Sequence, residues 1–227
     1  MEFEVLGWPP DGPTLRLDYR RFAYAGKFVM SNTGKAVVRG PSADPDGNTA
    51  MRERGDSGEI PRDVPDADDF ETDVVAALAF NADRTDDATL WYRYVTVRSD
   101  VKGSGIGPRL AAFTAPRAAA RGYERLRIAV NNPFAYEAMH KAGFRWTGRE
   151  TGLAELVLER PVEEEMTATE SDGVPTDVAE TADANRYQAG LDRFRERDLG
   201  EQEATFLHRK RGADPPAPIT QPTDPEG

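Results

Sequence analysis

Val95-Thr96-Val97-Arg98-Ser99-Asp100-Val101-Lys102-Gly103-Ser104-Gly105-Ile106-Gly107-Pro108 is the stretch on which the fold turns. A β-branched, aromatic-rich run, Leu90 to Val97, ends there, and a helical pattern begins with Ile106, Leu110 and Phe113 at i, i+4 and i+7. Between them stand Gly103, Gly105 and Gly107. Glycine lets the main chain approach a ligand closely, and the first N–H groups of a helix have no partner within it. A strand, a glycine turn and a helix in that order make a cradle for an anion. The turn lacks the Gly-Lys-Ser/Thr ending of a P-loop. Its Gly-x-Gly-x-Gly-Pro spacing also departs from the dinucleotide fingerprint Gly-x-Gly-x-x-Gly, so neither nucleotide motif fits.

Outward from that turn, Pro116 predicts a kink in the helix and Gly122 its end. Arg125 to Val130 reads as a short buried strand. Asn131-Asn132-Pro133 opens a second helix, Phe134 to Ala142, which Gly143 stops, and Phe144 to Trp146 and Leu153 to Leu158 read as the last strands. Toward the N-terminus, Val74 to Phe80 pairs antiparallel with Leu90 to Val97 across a polar turn. Alternation in residues 1–40 predicts strands at Phe3 to Leu6, Leu15 to Tyr19, Phe28 to Met30 and Ala36 to Val38, with a hairpin-like turn at Ser31 to Gly34. Residues 41–69 read as an acidic loop or insertion rich in Pro, Asp and Gly.

The 227 residues suffice for one domain with extensions, and a mean hydropathy of -0.65 argues that part of the chain lies outside any core. The net charge of -11 is unevenly placed: residues 41–73 hold 11 acids against 3 bases, residues 161–227 hold 16 against 7, and residues 74–160 hold 9 against 13. Basic residues are mostly arginine and acids lean to aspartate, a mix suited to a halophilic cytoplasm. No apolar run reaches the roughly 20 residues of a bilayer span, and acids stand where a signal peptide would carry bases; we expect a cytoplasmic protein with no membrane partner. The absence of cysteine excludes disulfides, thiolate metal sites and a cysteine nucleophile. His208-Arg209-Lys210-Arg211 is too short a basic cluster in an acidic tail to bind nucleic acid.

The order of motifs over residues 70–160 resembles the GNAT superfamily, the GCN5-related N-acetyltransferases: Val95-Thr96-Val97, then Lys102-x-x-Gly105-x-Gly107, Leu126 to Val130, Asn132-x-x-Ala135, and Gly143-Phe144. The resemblance implies an α/β fold with a GNAT-like mixed central sheet of splayed strands and two main helices. That domain would cover residues 1–160, with the insertion at 41–69, ahead of a partly disordered acidic tail at 161–227 carrying one amphipathic helix near 184–198 through Tyr187, Leu191 and Phe194. It further implies acetyl-CoA as co-substrate, without a metal, and a primary amine, small molecule or protein, as acceptor in a ternary complex. Main-chain groups of Val95 and Val97, with Thr96 between, would meet the pantetheine arm. Lys102, Gly103, Ser104, Gly105, Ile106 and Gly107 would hold the pyrophosphate, and Asn132 would contact the arm further along. Lys102 stands where the family carries Arg or Gln. Oligomeric state is left open, a homodimer included.

Many members of the family carry an acidic tyrosine seven residues after the Asn, a position taken here by Met139. Tyr136 and His140, one helical turn apart, are the nearest substitutes: His140 to relay a proton and Tyr136 to donate one to the departing thiolate. Each has a plainer reading, a core aromatic and a surface histidine. Glu155 or a water is the remaining base. Trp91 to Tyr94 could line an acceptor groove or pack in the sheet, and Arg145 and Arg149 could meet an acidic substrate or solvent. A different class also suits Met139, a non-catalytic acyl-CoA-binding or regulatory module with a degenerate site.

Overall fold

The computed structural model describes residues 1–42, 69–162 and 176–219; most of the acidic loop expected at 41–69, and residues 163–175 and 220–227 of the expected tail, lie outside them. The chain divides into two compact units, Met1–Asn81 with Tyr94–Leu110, and Ala82–Arg93 with Ala111–Gly227.

In the first unit β1 (Glu2–Gly7), β2 (Gly34–Arg39) and β3 (Val74–Ala82) follow one another as antiparallel neighbours, and the end of β4 (Thr89–Val97) lies beside β3. From Val74 to Phe80 every residue of β3 is fully buried, which is why that stretch is an unbroken apolar run. Leu78 and Phe80 contribute about 2 kcal/mol each by burial.

The strands expected at Leu15 to Tyr19 and Phe28 to Met30 do not form. Pro9, Pro10 and Pro13 offer no N–H to a ladder, and a tight turn begins where Arg20 N–H meets the Asp18 carboxylate at 2.9 Å and Phe22 N–H meets the Asp18 carbonyl at 2.9 Å. The apolar residues that suggested strands instead enter the core as anchors: Leu15, Leu17, Phe22 and Phe28 pack with Val37, Val74, Ala77 and Ala79. Lys35 is a further anchor. Its side chain is fully buried, and its Nζ donates to Met30 O (2.5 Å), Thr33 O (2.8 Å) and Thr33 Oγ1 (2.9 Å), so all three ammonium protons are used; burial pulls its pKa down to about 8.

In the second unit the start of β4 pairs in parallel with β5 (Arg125–Val130), from Thr89↔Arg125 to Tyr92↔Ile128, and β5, β7 (Leu156–Pro161) and β6 (Arg145–Glu150) follow as antiparallel neighbours. Helix α1 (Ile106–Ala119), whose residues to Leu110 belong to the first unit, runs through Pro116, and α2 (Pro133–Lys141) starts on Asn132, whose Oδ1 accepts from Ala135 N–H at 2.8 Å. Gly122 and Gly143 end the two helices with φ of +82° and +89°, as the sequence predicts. Arg127 joins Asp83 and Glu159, both at 2.7 Å, and lies over the Trp91 ring.

The tail adds two helices, where one was expected. In α3 (Thr176–Arg195) Tyr187, Leu191 and Phe194 are fully buried, so the amphipathic stripe read at 184–198 docks on the chain's own core. Arg193 reaches Glu150 of β6 at 2.6 Å and Asp183 reaches Arg145 at 2.7 Å. Helix α4 (Glu201–Arg209) sets Phe206 against Phe134 of α2 at 4.9 Å, and the following Lys210 reaches Glu137 at 2.7 Å. No helix among the described residues is long and apolar enough to cross a membrane.

Candidate functional site

The site begins with the end of β4. Arg98 N–H, just past the strand, donates to Val75 O of β3 at 2.9 Å. Main-chain direction alternates along a strand, so Thr96 shares the side of Arg98, while Val95 and Val97 turn their N–H and C=O groups away from β3. The Thr96 side chain is buried and its hydroxyl has no hydrogen-bond partner among the described residues. Of the three strand residues named from the sequence, Val95 and Val97 therefore present main-chain groups that a ligand could use.

The chain then crosses a short turn and enters α1. Gly103 and Gly105 have φ of +82° and +79°, a region that a side chain makes costly, and a Cβ on either would meet nothing within 4 Å. The space over the turn is thus open. Gly107 is glycine for another reason: a Cβ there would lie 3.2 Å from Val97 Cγ2 and 3.9 Å from Val95 Cγ1, so its absence lets the helix start sit directly on the strand. Ser104 Oγ donates to Val101 O at 2.6 Å and fixes the turn internally. Ile106 and Gly107 open the helix and Pro108 has no N–H, so the first-turn donors are those two, with the exposed Lys102 adding a positive charge. Val95, Val97 and residues 102–107 are together in one unit.

Asn132 Oδ1 is committed to capping α2, and its Nδ2 donates to Asn131 Oδ1 at 3.0 Å. Tyr136 and His140 do share a helix face, with ring centroids 4.7 Å apart, but both are fully buried beneath α3. The Tyr136 hydroxyl donates to Tyr187 O at 3.2 Å, its ring stacks on Tyr187 at 5.6 Å, and burial raises its pKa above the ordinary value. His140 also meets the Tyr187 ring edge at 4.7 Å, and neither ring nitrogen has a hydrogen-bond partner among the described residues. Burial first, and the Arg145 guanidinium second, pull its pKa down to about 3. Met139 is buried as well. The helical spacing that nominated this pair is the spacing of a face against the core, and what covered the face was α3.

A neutral, buried His140 has a consequence in solution. The unfolded chain takes up its proton near pH 6.5 and the folded chain only near pH 3, so the stability from this group is complete above pH 6.5 and is lost as pH falls toward 3. Between pH 6.5 and 4.5 the wild type should lose on the order of 2 kcal/mol that a His140→Phe variant keeps, read as the difference of their urea midpoints. Parallel pH profiles for the two proteins would contradict this.

Residues 19–27 are the part of unit 1 that sequence reading missed. Tyr24 adopts φ 60° and ψ 18°, its ring half exposed and 5.9 Å from that of Tyr94, the residue before Val95. A tyrosine in the left-handed region carries no sequence mark, because only the turn around it demands that conformation.

No family model matches the sequence and no curated protein is similar to it. Solved structures similar to the chain include an N-acetyltransferase from Staphylococcus aureus Mu50 (14% identity, 58% of this chain and 68% of that one, TM-score 0.40). Nourseothricin acetyltransferase is similar at 14% identity over 71% of this chain and 98% of that one, with a TM-score of 0.41. Tetrahymena GCN5 is similar at 13% identity over 61% and 74%, with a TM-score of 0.39. Through the motif the chain itself runs β4, glycine turn, α1, parallel β5, α2 and then an antiparallel pair, the order of strands and helices that the sequence predicts.

Proposed function

We propose that the protein is an acyl-CoA-dependent N-acetyltransferase that moves an acetyl group from acetyl-CoA to a primary amine within a ternary complex. The observation that carries this reading is the turn from β4 into α1: two left-handed glycines under open space, a third that seats the helix on Val95 and Val97, and the first-turn donors of α1 beside Lys102. That space and polarity fit a pyrophosphate. N–H groups at Gly103, Gly105, Ile106 and Gly107 hold it, and the main-chain groups of Val95 and Val97 take the pantetheine arm as they would an added strand.

When bound, acetyl-CoA supplies the thioester whose acetyl group is transferred. The acceptor's neutral amine attacks the carbonyl carbon, the C–N bond forms as the C–S bond breaks, and the proton shed by nitrogen ends on sulfur or in solvent. Val97 N–H, turned away from β3, polarises the carbonyl oxygen. Tyr136 and His140 act as core residues under this reading and Asn132 as the cap of α2, so rate comes from holding the two reactants together, with solvent as the proton acceptor.

Burial of Tyr136, Met139 and His140 favours a second reading, a binding module without turnover. The test is a calorimetric titration of acetyl-CoA into the full chain in molar KCl, followed by thiol release with a panel of primary amines. Binding with amine-dependent thiol release supports the enzyme. Binding without release by any amine supports the module, and no binding removes both.

A further inference from the structure

The segment that replaces the expected strands in unit 1 builds a pocket of its own. An open surface depression of about 490 Å³ is lined by Tyr19, Phe22, Tyr24 and Lys27 among others. Tyr19 and Tyr24 are 50% and 53% exposed although each ring meets one other, Phe70 at 6.3 Å and Tyr94 at 5.9 Å, while Phe22 is anchored in the core. The walls are fixed: Asp18 holds Arg20 at 2.8 Å, Ser99 N–H donates to Arg21 O at 3.0 Å, and Leu15 N–H donates to Phe28 O at 3.1 Å. The Tyr24 ring is projected by a left-handed backbone that tyrosine adopts only under constraint, and it leans on Tyr94, next in sequence to Val95. Aromatic faces are therefore held ready beside the strand that carries the proposed cofactor contacts.

Charge selects among ligands for such faces. The carboxylate of Asp18 is already engaged by Arg20 and Arg21, whereas the exposed Lys27 has no ion-pair partner among the described residues. A simple cationic amine would meet an ammonium here, while a ligand with an aromatic body and a carboxylate would stack on Tyr24 and pair with Lys27. We infer that residues 19–27 form the acceptor-side wall and that the acceptor is an aromatic amino acid, its ring against Tyr24 and its carboxylate at Lys27. This inference rests on the acetyltransferase reading for the word acceptor, though not for the binding itself.

The test is calorimetric titration of the full chain, without acetyl-CoA, using L-phenylalanine, 3-phenylpropanoate and phenethylamine. Phenylalanine and phenylpropanoate should bind, phenethylamine about tenfold more weakly or worse. Tyr24→Gly suits the left-handed position and removes only the ring; it should weaken phenylalanine about tenfold, and Lys27→Met should do the same while abolishing the preference over phenethylamine. Equal binding of phenethylamine, insensitive to Lys27→Met, or no binding of phenylalanine at all, overturns the inference. Acetyl-CoA titrated separately keeps the two ideas apart: cofactor binding without phenylalanine binding sinks the wall alone, and the converse sinks the acetyltransferase alone.

Discussion

Gly105→Val should weaken acetyl-CoA binding by about 100-fold or more while leaving the protein folded. Two effects add at this position. A β-branched residue at φ +79° strains the turn by roughly 1–2 kcal/mol, and its side chain fills space that is empty within 4 Å of a Cβ and that the proposed pyrophosphate would occupy. Because a Cβ there has no protein atom within 4 Å, the melting temperature should fall by only a few degrees. Gly107→Val is the instructive contrast. Its Cβ would lie 3.2 Å from Val97 Cγ2, so it forces α1 away from the strand and should lower stability and cofactor affinity together. A Gly105→Val protein that binds acetyl-CoA like the wild type would remove the cradle.

The second large effect belongs to α3. Gly190 sits inside that helix, where glycine ordinarily costs about 1 kcal/mol against alanine, so Gly190→Ala would normally stabilise. Here it should destabilise by on the order of 3 kcal/mol or more. A Cβ at Gly190 would stand 2.1 Å from Tyr136 Oη and 2.5 Å from Cζ, and the Tyr136 ring, fully buried between His140, Tyr187 and Phe194, has no direction in which to yield. The helix must lift, exposing Tyr187, Leu191 and Phe194. The reversed sign is read from the urea midpoint, with binding of an apolar dye as the sign of exposure. Tyr136→Leu in the same chain should restore part of the loss, since it removes the atoms in conflict. A neutral or stabilising Gly190→Ala would mean that α3 is not docked on Tyr136 in solution.

The same pair of residues explains why the catalytic reading of α2 looked reasonable in the sequence. Tyr136 and His140 lie one turn apart beside the expected position of an acid, and helical spacing alone cannot tell a face that lines a site from a face that meets another helix. The covering helix begins at Thr176, about forty residues further on. Its own stripe, Tyr187, Leu191 and Phe194, was legible as apolar, but its target was not, because periodicity fixes which side of a helix is buried and says nothing of what buries it. Gly190 shows the converse: a helix-weakening residue in the sequence becomes, in the structure, the room for a tyrosine hydroxyl.

Local chemistry was legible wherever a short stretch decides its own conformation. The order from β4 through the glycine turn to α1, the cap at Asn132, the stops at Gly122 and Gly143 and the strand at Val74 to Phe80 follow from backbone freedom, capping and hydrophobic pattern within a few residues. Residues 8–33 were beyond that reach. Leu15 and Leu17 alternate as a strand would, yet they are buried as anchors of a turn-rich segment held by the Asp18 carboxylate and the Lys35 ammonium. Left-handed Tyr24, the pocket it lines and the burial of His140 likewise depend on partners distant in sequence. The strand, turn and helix that form the cradle follow from the local pattern of residues, because each of those choices is made within a few positions. Which polar side chains face solvent and which are sealed in the core is settled by long-range packing, against elements whose positions no local pattern encodes.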